Sequence, residues 1–372
     1  MVEIETINRD QFEQIVYCSD PAVGLKSIIA IHDTTLGPAT GGCRFFPYPS
    51  EEDALKDVLR LAKGMTYKSA LSDVAFGGGK AVIIGDPQKI KTKALLQRFA
   101  QFVNTLNGHY ITAKDVGISG EDLRVMSEVT QHILGIEGKA DSSGDPSIAT
   151  AFGMMRSFDA LAKEILGKSS LKSLTFAIQG VGSVGHYLAE NLGELGANVI
   201  ITDIDQNNIR AVQHKISNIQ VVNPNDIYGI QCDFFVPCAL GGILNQETIP
   251  RLKCGIVAGS ANNQLATLQD GFRLSERSIF YAPDYVVNAG GIINIAEERL
   301  GYDRKRAFEH VGRIYNTVVE IIRRAKNAHK APFLIADQMA EEILEQAKKK
   351  NTKMQPLRNL HKISHQNHLN PL

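Results

Sequence analysis

Short apolar runs and helix-period stripes alternate along this chain, and each change of period marks an element. Ser27–Ile31 (SIIAI) predicts a strand. Ser50 then opens a helix with acidic residues in its first turn and Leu55, Val58, Leu59 and Ala62 on one face. Ala81–Ile84 (AVII) predicts another strand, stopped by Gly85-Asp86-Pro87, and Leu95–Leu106 carries a helical pattern. The polar stretch Lys139–Ser147 (KADSSGDPS) has the composition of a linker or hinge. From Ser147, the stripe Ala151, Met154, Phe158, Leu161 and Ile165 predicts a helix.

Strand and helix patterns then alternate. Leu174–Ile178, Val199–Thr202, Phe234–Val236, Ile256–Ala258 and Ile279–Tyr281 are short apolar runs separated by helix or turn material. Buried parallel strands of an open α/β sheet have this pattern. A long helix is expected over Lys305–Ala325, and a last one carries Ile335, Met339 and Ile343 along one face. Pro332 between these two predicts a turn that brings the chain back onto its first part. The tail from about Lys348 is basic, then polar, and is expected to be mobile.

The 372 residues, at about 150 per domain, predict two domains. Forty basic and forty acidic residues balance, so no global field exists to hold nucleic acid or an anionic membrane. The N-terminus lacks the order of a signal peptide, and no apolar run is long enough to span a bilayer. Five cysteines without a C-x-x-C pair read as reduced thiols, which predicts a cytoplasmic protein. No metal site is expected, since the histidines form no H-E-x-x-H pattern. His361, His365 and His368 lie in the tail, where fraying is the plainer reading.

The sharpest local signal is Gly180-Val181-Gly182-Ser183-Val184-Gly185, which follows the strand pattern LTFAIQ and opens a helical one. An acid, Asp203, ends the next strand at about the twenty-residue distance of a dinucleotide-binding unit. The glycines permit a tight turn and close approach of pyrophosphate, and the helix N-terminus offers N–H donors. Asp203 can hydrogen-bond both ribose hydroxyls and repels a 2′-phosphate, so the cofactor expected is NAD. A glycine turn with no ligand is the plain alternative.

A second cluster, Gly77-Gly78-Gly79-Lys80, fails as a P-loop, because Val74 and Ala81 stand where glycine and Ser/Thr are needed. It leaves a glycine turn holding one lysine. Lys68 in GMTYKSA and Asp115 in TAKDVG could join Lys80 in a dry site for a carboxylate-bearing substrate. A neighbouring cation and desolvation would each make such a lysine a usable base.

The chain resembles the Glu/Leu/Phe/Val amino-acid dehydrogenases, and within them the leucine branch most closely. The likeness runs from about Leu36 to Lys330 through LGPATGGCR, GMTYK, GGGK, YITAKDVG, the Gly180–Gly185 turn, PCALGG, AGSANNQL and YAPDYVVNAGGIIN, in that order. It implies an NAD-dependent, reversible oxidative deamination of an L-amino acid to a 2-oxo acid and ammonia. It implies Lys68 on the substrate carboxylate, Lys80 as the base that activates water, and Asp115 as a proton shuttle to the amino nitrogen. Gly41 and Gly42 would line the substrate site, and Thr150 and Asn262 would contact the nicotinamide end. The fold implied is α/β with two domains flanking a cleft. A substrate-binding and oligomerisation domain over 1–140 would be completed by a C-terminal helix over 331–350. A Rossmann-type domain over 147–330 would bind NAD, leaving 351–372 as the tail. A homo-oligomer is implied as well.

Departures from the family pattern fall around the pocket. Thr40 stands where glutamate-acting members carry lysine and the leucine branch carries leucine, and Leu134 stands where that branch has threonine. Ile292 and Ile295 replace valines, although plain core packing would also explain that pair. With Ala113, these positions offer no cation to a second carboxylate, so a branched-chain aliphatic, leucine-like substrate is expected. Phenylalanine or another aromatic is the alternative, since Thr40 is smaller than leucine. Two remoter readings are a 2-hydroxy acid dehydrogenase, which would need a paired histidine such as His310, and a non-catalytic dinucleotide-binding regulator.

Overall fold

Two six-stranded sheets organise the chain in the computed structural model, which describes residues 3–9, 11–136, 138, 142–216 and 219–366. The first contains β1 (Glu3–Arg9), β2 (Phe12–Asp20), β3 (Leu25–Asp33), β4 (Ala39–Phe46), β5 (Gly77–Ile84) and β6 (Tyr110–Ala113). Their order is β1-β2-β3-β5-β4-β6. Strands β1, β2, β3 and β5 pair antiparallel, whereas β4 runs parallel to both β5 and β6. Helix α1 (Glu51–Leu71) is the crossover from β4 to β5. Ser50 caps it by accepting the Asp53 N–H, and three acids in the first turn complement its dipole. Helices α2 (Pro87–Ile90), α3 (Lys93–Thr105) and α4 (Gly120–Ser127) complete this unit.

Strand β3 shows why its apolar run is continuous. Ile29 and Ile31 pack with Leu95, Phe99 and Val103 of α3, while Ile28 and Ala30 pack with Ala54, Val58 and Ala62 of α1. Successive side chains face opposite sides, and here both sides are covered. Glycine governs the other close approach. A Cβ at Gly78 would overlap the Thr66 Oγ1 and backbone N of α1, so only a bare backbone lets this helix settle on β5.

The second sheet has β7 (Thr175–Gln179), β8 (Asn198–Thr202), β9 (Ile219–Val221), β10 (Gln231–Pro237), β11 (Lys253–Val257) and β12 (Phe280–Tyr281). All pair parallel in the order β12-β11-β10-β7-β8-β9, the doubly wound arrangement that reverses between β7 and β10. Helices α5 (Pro146–Leu166), α6 (Ser183–Glu194), α7 (Gln206–Lys215) and α8 (Leu268–Glu276) accompany this sheet. The short α9 (Asp284–Val287) and α10 (Gly290–Ala296) lead to α11 (Arg304–Gly312) and α12 (Ile314–Ala328). Phe158 of α5 closes over Phe176 and Phe234, whose rings stack with centroids 4.6 Å apart. Helix α13 (Pro332–Gln366) ends the described chain.

Three details differ from the sequence pattern. The helix expected over Lys305–Ala325 is two, because at Gly312–Arg313 the Arg313 N–H bonds back to His310 O, three residues away instead of four. Helix α13 runs to Gln366, through most of the expected tail and past His361 and His365, while His368 lies outside the described residues. Of the expected linker, Ser142–Asp145 is non-helical and tied down. Glu298 accepts from the Ser143 N–H at 2.8 Å and its Oγ at 2.6 Å, and Lys139–Asp141 lie outside the described residues.

The tight seat of α1 on β5 leads to a stability prediction. Gly78→Ala should lower stability by about 1–3 kcal/mol, the usual cost of overpacking. The midpoint of urea unfolding measures it, and an unchanged midpoint would show that α1 can move away freely.

Candidate active site

A cleft of about 470 Å³ lies between the two sheets. Its walls come from β4, α1, β5 and the end of β6 on one side, and from α5, the loop after β11 and α10 on the other. Lys68, Lys80 and Asp115, far apart in sequence, meet there. Thr40, Gly41, Gly42, Ala113, Thr150, Val184, Asn262, Ile292 and Ile295 also line it. Leu134 does not, and packs instead against the larger core from a partly buried position.

Lys80 sits mid-strand in β5 and is 5% exposed, so its charge needs a partner. Asp115, in the turn after β6, is that partner: the Lys80 ammonium donates to its Oδ2. Burial alone would raise the Asp115 pKa, but the charges of Lys80 and then Arg44 outweigh it and hold the carboxyl down to about 2. Lys68 is one turn from the end of α1, and its ammonium donates to Asn262 Oδ1 at 3.4 Å across the cleft. Burial pulls the Lys68 pKa down to about 8, with Lys80 acting in the same direction and Asp284 and Asp115 opposing. The site therefore holds one ion-paired lysine and one lysine close to losing its proton.

Several cleft residues escaped the sequence reading. Met65 lies three residues before Lys68, hence on the same face of α1. Asp284 accepts from the Asn263 N–H and from Tyr281 OH, each at 2.8 Å, and so fixes the loop that carries Asn262. Asn288 donates to Asn262 Oδ1 at 3.0 Å. Both sit inside the quoted stretch YAPDYVVNAGGIIN, where no period marks them out from their neighbours. Arg60, Lys63 and Lys114 add cations to the cleft. Arg60 donates to Leu265 O at 2.6 Å, Lys63 lies 5.3 Å from the Tyr67 ring centroid, and Lys114 is exposed.

The Gly180–Gly185 turn joins β7 to α6 at the point where the strand order reverses. A Cβ at Gly185 would overlap Gly180 O, whereas one at Gly182 would meet nothing within 4 Å. Helix α6 has no side-chain cap, so its first N–H groups face open space beside Gly182. That is a cradle for an anion, and a pyrophosphate fits it. Asp203 Oδ2 accepts from the Val181 N–H at 2.8 Å and so borders this turn. Asp203 also lines a separate recess of about 420 Å³ with Ile209, Val222, Pro224 and Asp226, with no Lys or Arg on its wall. In the main cleft, Asn288 Oδ1 is buried without a partner. It suits a donor such as a carboxamide N–H.

His310, the histidine a hydroxy acid dehydrogenase would need, lies outside the cleft. It bonds Ser72 O at 2.9 Å and faces Glu297 at 3.4 Å, which makes it a contact between the two units. Among the described residues no group of His, Cys, Asp and Glu could hold a metal ion, and no helix is long and apolar enough to cross a membrane.

Residues 12–132 match the dimerisation domain of the Glu/Leu/Phe/Val dehydrogenases, and residues 143–354 match the Glutamate/Leucine/Phenylalanine/Valine dehydrogenase domain. The chain belongs to this family. It is 49% identical to leucine dehydrogenase of Geobacillus stearothermophilus over 91% of this chain and 92% of that one. It is 46% identical to phenylalanine dehydrogenase of Caldalkalibacillus thermarum over 95% and 97% of the two chains. Among solved structures it is similar to L-tryptophan dehydrogenase from Nostoc punctiforme, with a TM-score of 0.77 and 40% identity over 91% of this chain and 97% of that one. It is an amino-acid dehydrogenase, an oxidoreductase that deaminates its substrate with a dinucleotide cofactor.

The lysine pair can be checked by titration. In lysine-selective NMR, one side chain should lose its proton near pH 8 and disappear from the spectrum in Lys68→Met. If every lysine instead titrates above pH 10, Lys68 is not desolvated in the way its surroundings require.

Proposed function

We propose that the protein oxidises a branched-chain aliphatic, leucine-like L-amino acid with NAD, releasing the 2-oxo acid and ammonia reversibly. The observation that carries this reading is the meeting of Lys68, Lys80 and Asp115 in one cleft with an apolar end. Lys68 binds the substrate carboxylate. Burial makes its ammonium easier to deprotonate, and an anion paired with it restores the charged form. Lys80 takes a proton from the water that attacks the imine, and Asp115 passes protons to and from the amino nitrogen. Gly41 and Gly42 let the substrate lie against bare backbone. When bound, NAD would supply the hydride acceptor for the substrate Cα. Gly180–Gly185 and Asp203 would hold its pyrophosphate and ribose, and Thr150, Asn262 and Asn288 would contact its nicotinamide end. The protein works as a cytoplasmic homo-oligomer on a free amino acid, with no nucleic-acid or membrane partner.

The side-chain preference rests on what surrounds the pocket end. Thr40, Ala113, Ile292 and Ile295 carry no charge, and the Thr40 hydroxyl is spent on Pro38 O at 3.1 Å. A second substrate carboxylate there would be unpaired, at a cost of several kcal/mol, whereas each buried methylene gains about 0.8 kcal/mol. A second reading, an aromatic substrate, is favoured by the small Thr40 and by relatives named for phenylalanine and tryptophan. Leucine, valine and isoleucine should therefore be oxidised far better than glutamate. Ranking kcat/KM over leucine, valine, phenylalanine, tryptophan and glutamate by NADH absorbance decides it: an aromatic in first place selects the second reading, and glutamate in first place overturns both.

Cofactor choice has its own test. Asp203→Ser removes the charge that opposes a 2′-phosphate and should weaken NAD binding while narrowing the preference over NADP. If steady-state kinetics show the same preference in the variant, the ribose is read elsewhere.

A further inference from the structure

The two carboxylate oxygens of Asp115 have different partners. Oδ2 faces Lys80, while Oδ1 accepts from the Val116 N–H at 2.6 Å and from Arg44 Nε at 3.3 Å. Arg44 is itself anchored. Its Nη1 lies 2.9 Å from Asp57 Oδ2, and Tyr48 OH donates to that same oxygen at 2.6 Å. A row of alternating charges thus runs from the cleft into the first unit: Lys80, Asp115, Arg44, Asp57. Arg44 does not line the cleft, so its influence on the site passes through Asp115.

We propose that Arg44 is a positioning residue for the reaction: it locks Oδ1 of Asp115 in place, reserves Oδ2 for proton exchange, and remains as counter-charge while Lys80 is neutral. This rests on the roles proposed above for Lys80 and Asp115. To accept a proton from water Lys80 must first be neutral, and in that state Asp115 lacks its nearest cation inside a dry site. A buried, unpaired carboxylate responds by taking up a proton, which would end its service as an acceptor. Arginine stays charged at any working pH, and its planar fork holds two carboxylates in fixed directions, whereas a lysine ammonium is a flexible point charge that fixes neither direction.

The other groups that face Asp115 do not substitute for it. They are Lys80 from β5, Lys68 from α1, Cys43 from β4 and Tyr110 from β6. Burial pushes the Cys43 thiol and the Tyr110 hydroxyl well above their ordinary values, so both are neutral. Lys68 is committed to the substrate. Removing Arg44 leaves Asp115 to take up a proton at higher pH, and the acid limb of the rate profile moves upward.

Arg44→Met should lower kcat by about tenfold, less than the roughly 10²–10⁴-fold lost with an acid–base group itself. KM for the amino acid and Kd for NADH should stay within about threefold, since neither ligand touches Arg44. The acid limb of kcat/KM should shift to higher pH. Arg44→Lys keeps the charge without the fork, so it should leave the limb near its place while kcat falls several-fold. It also serves as the readable variant if Arg44→Met does not fold by circular dichroism. Wild-type kcat with an unmoved limb in Arg44→Met, or wild-type kcat in Arg44→Lys, overturns the proposal. Asp115→Asn, measured alongside, separates the two layers. An active Asp115→Asn removes the assigned chemistry and Arg44 with it. An inactive one beside fully active Arg44 variants removes Arg44 alone.

Discussion

Everything at the active site depends on how closely α1 lies against β5. The bare backbone at Gly78 lets the helix settle where a Cβ would strike Thr66, and the two lysines follow from that contact. Lys68 is two residues beyond Thr66 on the helix, and Lys80 is two residues beyond Gly78 on the strand. A single packing distance therefore fixes how far apart the two lysines stand. Thr66 is itself held by His32, whose ring nitrogen lies 2.8 Å from its hydroxyl, so the contact reaches back into β3.

Bringing two ammonium groups into one dry space is expensive, and the structure meets the cost unevenly. Lys80 receives a nearly buried carboxylate of its own, whereas Lys68 receives an amide oxygen and the more distant fields of Asp284 and Asp115. The inequality leaves the two ammonium groups unlike each other: Lys80 is held in place by an ion pair, and Lys68 keeps donor capacity open towards the cleft.

Much of this was legible in the sequence because it is carried by local patterns. The Gly180–Gly185 turn declares itself through its strand, its helix and the acid that follows. The β3 run and the α1 stripe declare their burial. Strands β1, β2 and β4 were not legible. In β2, Ile15 and Val16 are neighbours buried on opposite faces, so no clean alternation appears, and β4 is half glycine and polar residues. The partners of Arg44 were equally hidden. Asp57 is thirteen positions away on α1 and Asp115 seventy-one away beyond β6, so one gap is closed by the helix that follows β4 and the other by the parallel pairing of β4 with β6. Leu134 shows the opposite case, since its match to a family position suggested the pocket while its side chain packs against the core.

Helix α13 is a second tie between the units. Glu341 accepts from Tyr67 on one side at 2.7 Å, and Lys348 reaches Asp33 at 2.9 Å. On the other side Asp337 accepts from Tyr285, and Glu342 pairs with Arg324 at 2.7 Å. The polypeptide thus crosses between the sheets twice, once near Ser143 and once at the start of α13. A body attached at one point can swing in any direction, but one attached at two can turn only about the line that joins them. Any swing of the second sheet against the first would therefore be confined to rotation about the line joining these two crossings, and would carry Asn262 towards or away from Lys68 along one arc.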